Sequence, residues 1–510
     1  MVAAADVARV KHWRSAPIIA VMVLALLLRL GGVGFGLPYV YHPDEHFLVD
    51  PALAILASHD LNPHWFNYPD LYIYAQTVVL AVARAVLESF GGAPGALQVQ
   101  GLMYLAGRLA TVLTGTAAVY VTYRAGRRLW GELAGISAAL VLAVAFAHVQ
   151  NSQFITVDVP CGFLSAACIW GAVHGYRGGG NRWFVVSGVL AGLAAATKYN
   201  AVVALAAPLA LWLAGCHGRR ECLSWVPVLT VVAAILAFVV VMPWVLLDPV
   251  NVWKGVFFEI QHYRTGHEGA EGSDSWLFYL KYLWQLGLTP PLCLLALAGW
   301  LASAAKDWRR WLGLSAFPLL FYGMMAAQRV RFERNLMPIM APVALFGGYG
   351  LALALGWYRA RTTWTWPVRA AGMLVLAAGI GWPILQAAVY DYQVSAPDTR
   401  TVAAAWMETN LPAGATICQE QYGPPLDGSQ RFRVITVWGL YERSLQSYRQ
   451  DCDYVVASSK LYARYTNNAV AYPQKAAFYA ELFSQLPLVR EFRGHESTVH
   501  DPVIRIYRTR

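Results

Sequence analysis

The 510-residue chain reads as a polytopic α-helical membrane protein with a small α/β domain at its C-terminal end. Three observations predict this. Hydrophobic residues make up 57% of the sequence and charged ones only 13%, with a mean hydropathy of +0.43; the charged share is about half that of an ordinary soluble protein. Apolar runs recur that are about 20 residues long, enough to cross a bilayer. From residue 389 onward the composition changes to dense charge and short β-like runs. Together these exclude a disordered, collagen-like or disulfide-scaffold chain and argue against a soluble protein with an oversized core. The net charge of +10 is not a nucleic-acid signature, because the basic residues sit in short clusters between apolar runs. The seven cysteines show neither a CxxC pair nor zinc-ribbon spacing.

The elements follow in order. Arg9, Lys11 and Arg14 precede an apolar run at about 17–37. No A-x-A site follows it, so an uncleaved first helix is expected rather than a signal peptide. Further apolar runs fall near 100–122, 132–150, 160–176, 183–197, 201–215, 225–247, 276–303, 311–328, 335–357 and 368–388, giving about 11 spans in all. The apolar stretch 69–90 is assigned to an interfacial helix on charge grounds. With the N-terminus inside, the clusters Arg124/Arg127/Arg128, Arg177/Arg182, Arg219/Arg220, Lys306/Arg309/Arg310 and Arg359/Arg361 all fall on the inner side, as the positive-inside rule requires. A span at 69–90 would put the later clusters outside. The one exception is the basic cluster at 329–334.

The acids sort the other way. Of 17 acids in residues 1–390, only Asp6, Glu132, Glu221 and Asp307 are placed inside. Chemistry is therefore expected in the long outer loops, at about 38–99 and 248–275. The tail, 389–510, reads as an extracytoplasmic α/β domain after a membrane domain at 1–388. A helix is expected over 398–410, stopped by Leu411-Pro412-Ala413-Gly414, with strands at Ala415–Cys418, Arg433–Val437, Tyr454–Ala457 and Val503–Tyr507. Cys418 and Cys452 are either a disulfide or two buried thiols.

The first outer loop opens with Tyr41-His42-Pro43-Asp44-Glu45-His46. Pro43 followed by two acids suits a helix start. Acids beside a span are also costly to place near lipid and mark function. Adjacent residues on a helix point about 100° apart, so Asp44 and Glu45 can serve different partners. Arg29 lies inside the first span and either pairs with an acid such as Asp158 or snorkels.

A resemblance becomes visible in the order of these pieces. His42-Pro43-Asp44-Glu45, Asn67-Tyr68-Pro69, a span opening near Arg108, Phe154-Ile155-Thr156-Val157-Asp158-Val159-Pro160, Ala196-Thr197-Lys198-Tyr199-Asn200 and Gln261-His262-Tyr263-Arg264 together resemble glycosyltransferase family 39. This GT-C group contains the protein O-mannosyltransferases and the lipid A aminoarabinose transferases. In the tail, Asp398–Trp406, Leu411–Ala415 and Asp453–Ser459 resemble the extracytoplasmic domain of bacterial members. One departure is Tyr68, where the aminoarabinose transferases carry a lysine and the mannosyltransferases a different motif. Neither group's substrate carries over.

The resemblance implies a GT-C fold and transfer of a sugar from a polyprenyl-phosphate donor to an acceptor (lipid A, a surface glycan or a protein) at the outer face of a bacterial cytoplasmic membrane. Such transfer needs a base on the acceptor and cations on the departing phosphate. Asp44 is the candidate base, with Glu45 and Asp158 as catalytic partners or, with Asp44, as ligands of a divalent cation. Lys198, His262, Arg264, Arg331 and Arg334 are the candidate phosphate cations. His42 and Tyr68 are expected to line the substrate site. Bland roles stand beside these: a helix N-cap for Asp158, snorkelling for Lys198, headgroup anchoring for Arg331 and Arg334, and a solvated loop for His262 and Arg264. The competing class is a polytopic transporter or lipid-linked sugar flippase, which inverted repeats would favour.

Overall fold

In the computed structural model, residues 2–89, 95–218, 222–270, 272, 274–361, 363, 365–426, 428–495 and 501–510 are described, with side chains from residue 16 onward. Arg219, Arg220, Glu221 and the side chains of Arg9, Lys11 and Arg14 lie outside that set. The chain divides into two compact units: residues up to Val33 with Asp44–Tyr390, and Gly34–Pro43 with Asp391–Arg510.

The first unit is helical: α1 (Val2–Leu30), α2 (His46–Ser58), α3 (Leu71–Ser89), α4 (Ala96–Trp130), α5 (Glu132–Val144), α6 (Phe146–Asn151), α7 (Asp158–His174), α8 (Arg182–Ala195), α9 (Ala206–Gly215), α10 (Val226–Val241), α11 (Trp244–Leu247), α12 (Pro249–Thr265), α13 (Ser275–Tyr282), α14 (Pro290–Lys306), α15 (Trp308–Ala326), α16 (Met337–Ala360) and α17 (Trp366–Ser395). Small residues let these helices approach closely, as is usual where lipid supplies no hydrophobic drive. A Cβ on Gly188 or Gly192 of α8 would lie 2.1 Å from Thr230 O or 2.2 Å from Ala234 O of α10. A Cβ added to Gly299 of α14 or Gly350 of α16 would likewise lie 2.0 Å from Phe346 O or Leu295 O of the other helix.

Among the described residues, four helices are long and apolar enough to cross a membrane, or five if one bent pair counts as a span. Leu71–Ser89 is one of the four, so length and composition alone do not make it interfacial as the charge pattern suggests. The expected single span 276–303 is two helical segments, Ser275–Gly287 and Pro290–Lys306, bent by 116°. Pro290 and Pro291 remove backbone donors there, and Thr289 takes φ 79°. The expected span 132–150 is likewise broken at Ala145 (φ −61°, ψ 108°) between α5 and α6.

In the second unit, α18 (Thr399–Asn410), α19 (Leu445–Asp451), α20 (Ser459–Thr466) and α21 (Pro473–Gln485) pack on a five-stranded sheet. Its strands are β1 (Thr416–Glu420), β2 (Arg433–Val437), β3 (Tyr454–Ser458), β4 (Leu488–Phe492) and β5 (Ile504–Arg508), in the order β2-β1-β3-β5-β4. β1 runs parallel to β2 and β3, whereas β5 is antiparallel to β3 and β4. β3 is buried along its whole length, which explains its unbroken apolar run. One face buries Cys418, Val455, Ala457, Tyr465 and Tyr479. The other buries Ile417, Val456, Ile504 and Ile506 beneath Ala403 and Met407 of α18. Cys418 and Cys452 form a disulfide with Cα atoms 5.9 Å apart. Asp398 caps α18 by accepting from Arg400 N at 2.9 Å.

Candidate active site

The site lies within the first unit. It begins at Asp44, the residue before Glu45, and the two acids have separate partners. Glu45 is fully buried. Its Oε1 accepts from Arg108 Nε at 2.8 Å and Ile155 N at 3.0 Å, and its Oε2 from Arg108 Nη2 at 2.7 Å. Arg108 Nη1 donates to Val33 O at 3.0 Å. Glu45 therefore ties the first outer loop to α4 and to the segment that leads into α7.

Asp44 instead meets Arg334, whose Nη2 is 3.1 Å from Asp44 Oδ2 and whose Nε is 3.6 Å from Asp158 Oδ2. Asp158 opens α7, where the positive end of the helix dipole favours a carboxylate. Its Oδ1 accepts from Lys198 Nζ at 2.7 Å. Lys198 sits in extended backbone after α8, which turns its amine inward, and also donates to Asn335 Oδ1 at 3.4 Å. Asn335 accepts from Tyr263 and donates to Tyr279 Oη, both at 3.0 Å. The result is an alternating chain of acid and base, Asp44–Arg334–Asp158–Lys198, ending on a polar amide. The Tyr68 hydroxyl feels all four of these charges, and the Phe332 ring lies 4.2 Å from the Arg334 guanidinium carbon.

Comparison with known proteins gives a matching picture. Residues 95–246 match the family model described as dolichyl-phosphate-mannose-protein mannosyltransferase. The fold is similar to the archaeal oligosaccharyltransferase AglB from Archaeoglobus fulgidus, solved with an inhibitory peptide and a dolichol-phosphate. The TM-score is 0.58 at 15% identity, covering 89% of this chain and 71% of that one. It is also similar to ArnT from Cupriavidus metallidurans bound to undecaprenyl phosphate, with a TM-score of 0.56 at 15% identity, covering 96% and 98% of the two chains. The chain has the GT-C fold. No curated protein matches it in sequence.

Within this fold, four of the expected charged residues come together, Asp44, Asp158, Lys198 and Arg334, with Tyr68 in their field. Several expectations change. Glu45 is bound on both oxygens by Arg108 and a backbone amide, so it positions the loop and is not free for chemistry. The divalent-cation set of Asp44, Glu45 and Asp158 does not fit, because all three are paired with Arg or Lys. Among the described residues no cluster of three His, Cys, Asp or Glu side chains forms a metal site. Arg331 turns elsewhere: its backbone N donates to Ala270 O at 2.8 Å and its guanidinium lies over Phe278. Arg264 is exposed at the last turn of α12.

His262 sits among the rings of Phe258, Tyr263, His267 and Phe332. Burial and then the Arg334 charge hold its imidazole below the ordinary value, so it is a poor phosphate cation near neutral pH. His42 belongs to the second unit. Arg29 neither pairs with Asp158 nor snorkels. It donates to Leu142 O and Ala143 O, capping the carbonyls freed where α5 breaks, and to His148 Nδ1 at 2.8 Å. A guanidinium only donates, so His148 Nδ1 is the acceptor.

Sequence reasoning missed four polar groups. Asn335 and Tyr263 carry no charge to single them out. Glu259 is half-buried, accepts from Asn67 at 3.4 Å, and lies in the field of Lys198, Arg334 and Asp44; burial holds its carboxyl above the usual range. Asp70 is fully buried, and among the described residues neither of its oxygens has a hydrogen-bond partner. Its place between Pro69 and the first turn of α3 was the available signal.

Proposed function

We propose that this enzyme transfers a sugar, with inversion, from a polyprenyl-phosphate donor to an acceptor hydroxyl or amine at the outer face of a cytoplasmic membrane. The observation that carries the reading is the Asp44–Arg334–Asp158–Lys198 chain. It holds one carboxylate at an accessible end and two cations suited to a lipid phosphate. The match over 95–246 and the fold support it, since both solved relatives are described with a lipid phosphate.

The chemistry follows from these groups. Asp44, with a side chain 15% exposed, takes the acceptor's proton as the acceptor attacks the anomeric carbon. The bond to the phosphate oxygen breaks on the opposite face, and its electron pair leaves with the phosphate. Lys198 and Arg334 neutralise the charge that develops there. With Arg334 on Asp44, the carboxylate is a weak base. Movement of Arg334 toward the phosphate would both bind the donor and free the base. Asp158 keeps both cations in place.

The test is turnover of a polyprenyl-phosphate sugar by the purified protein, read as released lipid phosphate. Asp44→Asn is expected to lose transfer by at least about 100-fold while retaining donor binding. Near wild-type turnover in that variant would remove Asp44 as the base. Absence of both transfer and hydrolysis with any such donor would favour the transport reading.

A further inference from the structure

Glu259 stands outside the four-residue charge chain, yet α12 presents it to the same site. Gly255, Glu259 and Tyr263 are spaced i, i+4 and i+8, so they follow one another along one side of the helix. At one end of this stripe Gly255 lies against the backbone of Phe66: a Cβ there would be 2.5 Å from Phe66 C and O. At the other end the Tyr263 hydroxyl donates to Asn335 Oδ1 at 3.0 Å, the same oxygen that accepts from Lys198. Glu259 sits between these two contacts, and its Oε1 accepts from Asn67 Nδ2 at 3.4 Å. The stripe is thereby turned toward residues 66–67 and toward Lys198. Lys198, Arg334 and Asp44 all lie close enough for their charges to act on the Glu259 carboxyl.

We infer that Glu259 binds the sugar of the donor by accepting a hydrogen bond from the ring's substituents, and that it selects against acidic sugars. The inference rests on the proposed transfer reaction. With the phosphate on Lys198 and Arg334 and the acceptor on Asp44, inversion places the anomeric carbon between them, and the sugar ring fills the space that Glu259 borders. This acid differs from its neighbours. Asp44 and Asp158 are matched by Arg334 and Lys198. Among the described residues Glu259 has no ion-pair partner, and its Oε2 accepts no hydrogen bond. The residue is only half-buried. A carboxylate oxygen only accepts, so it suits a hydroxyl or an ammonium group on the ring and repels a second carboxylate. A negative charge beside the ring also favours the positive charge that the ring gains as its bond to the phosphate breaks. The contribution of Glu259 therefore falls on kcat as well as on KM.

The test uses the full-length purified protein with polyprenyl phosphate bearing a neutral hexose, an amino sugar or a uronic acid, and with bare polyprenyl phosphate. Glu259→Ala is expected to lower kcat/KM for the better of the hexose and amino-sugar donors about 10- to 100-fold. Its Kd for bare polyprenyl phosphate is expected to stay within about twofold, because that ligand has no sugar. A loss shared by hexose and amino sugar identifies a hydroxyl as the bound group, and a loss confined to the amino sugar identifies the ammonium. Glu259→Gln keeps the shape and removes the charge, so kcat/KM for the uronic-acid donor relative to the hexose donor should rise at least about tenfold. Unchanged kcat/KM in Glu259→Ala, or an equal loss of bare polyprenyl-phosphate binding, would overturn the inference. If Glu259→Ala melts earlier than wild type, Glu259→Gln decides alone, and an unchanged uronic-acid ratio overturns the inference. An active wild type with an indifferent Glu259 variant removes only the sugar contact. A wild type that neither transfers nor hydrolyses any of the three donors removes the proposed reaction, and the sugar contact with it.

Discussion

Glu45→Gln separates the two adjacent carboxylates of the first outer loop. The substitution keeps the shape of the side chain and removes its charge. Both ends of the Glu45–Arg108 pair are fully buried, so the guanidinium would stay in the interior with the charge of its carboxylate partner removed, although the glutamine oxygen and Val33 O could still accept from it. Breaking a buried pair in this way costs about 3–5 kcal/mol. A glutamine amide that turns its donor side toward Ile155 N–H would strand that donor as well, adding about 1–3 kcal/mol. Against a typical total stability of about 5–15 kcal/mol, that is a large fraction. Asp44→Asn should behave differently. Its side chain is partly exposed, and its partner Arg334 keeps Asp158 within 3.6 Å, so the stability change should stay within about 1 kcal/mol. Thermal unfolding in detergent, read beside polyprenyl-phosphate binding and turnover, distinguishes the two. Glu45→Gln should melt much earlier, and Asp44→Asn should melt normally and be inactive. Glu45→Leu with Arg108→Met should recover part of the lost stability, because neither charge is then stranded. A Glu45→Gln protein that melts like wild type, binds donor and fails to turn over would refute this reasoning and return Glu45 to the chemistry.

Two further outcomes follow from the site. Lys198→Gln and Arg334→Gln should each weaken binding of polyprenyl phosphate by about 10- to 100-fold, as expected for losing one charge-assisted hydrogen bond; Arg331→Gln, whose side chain lies over Phe278, should leave binding within about twofold, and radiolabelled-lipid binding measures all three. At Asp70, burial pushes the carboxyl up from 3.8 to about 7. Between these values the folded protein keeps a proton that the unfolded chain has released, so stability should fall as pH rises from about 4 to about 7 and then level off, at up to about 1.4 kcal/mol per pH unit within that window. Asp70→Asn should flatten that slope in unfolding curves at pH 5, 6, 7 and 8, and an unchanged slope would show that another group is responsible.

What the sequence revealed and what it hid follow from the kind of signal each residue carries. Asp44, Asp158, Lys198 and Arg334 stood out because charge between apolar runs is conspicuous, and they do meet. Their neighbours were harder to place. Arg331 and Arg334 look like one cluster, but the chain between them is extended at Phe332 (φ −91°, ψ 129°) before a 3-10 turn at Glu333–Leu336. Side chains three residues apart therefore diverge instead of sharing a helix face. Glu45 and Asp44 diverge likewise, and only the location of Arg108 and Arg334 decides which acid is buried. The break within 276–303 was written in Pro290-Pro291, though hydropathy alone runs straight across it. In the tail, four strands follow their β-branched runs, whereas β4 is an edge strand with mostly exposed side chains and no alternating pattern to betray it. The grouping of 34–43 with the tail depends on a contact between residues about 360 positions apart, a distance over which no local pattern reaches.

The pairing of acids with bases at the site has a consequence for turnover. At rest Asp44, Asp158, Lys198 and Arg334 sum to zero charge, so small anions in solution find no unsatisfied cation to occupy. The proposed lipid phosphodiester donor would arrive with one negative charge and would have to draw both cations away from their own carboxylates. After transfer by the proposed mechanism, Asp44 would hold the acceptor's proton and the phosphate monoester would approach two negative charges near neutral pH. Once that proton escapes to water, the four groups and the phosphate together carry an excess of two negative charges. Asp44 and Asp158 would then compete for Lys198 and Arg334 again, and the spent carrier would be the ion displaced.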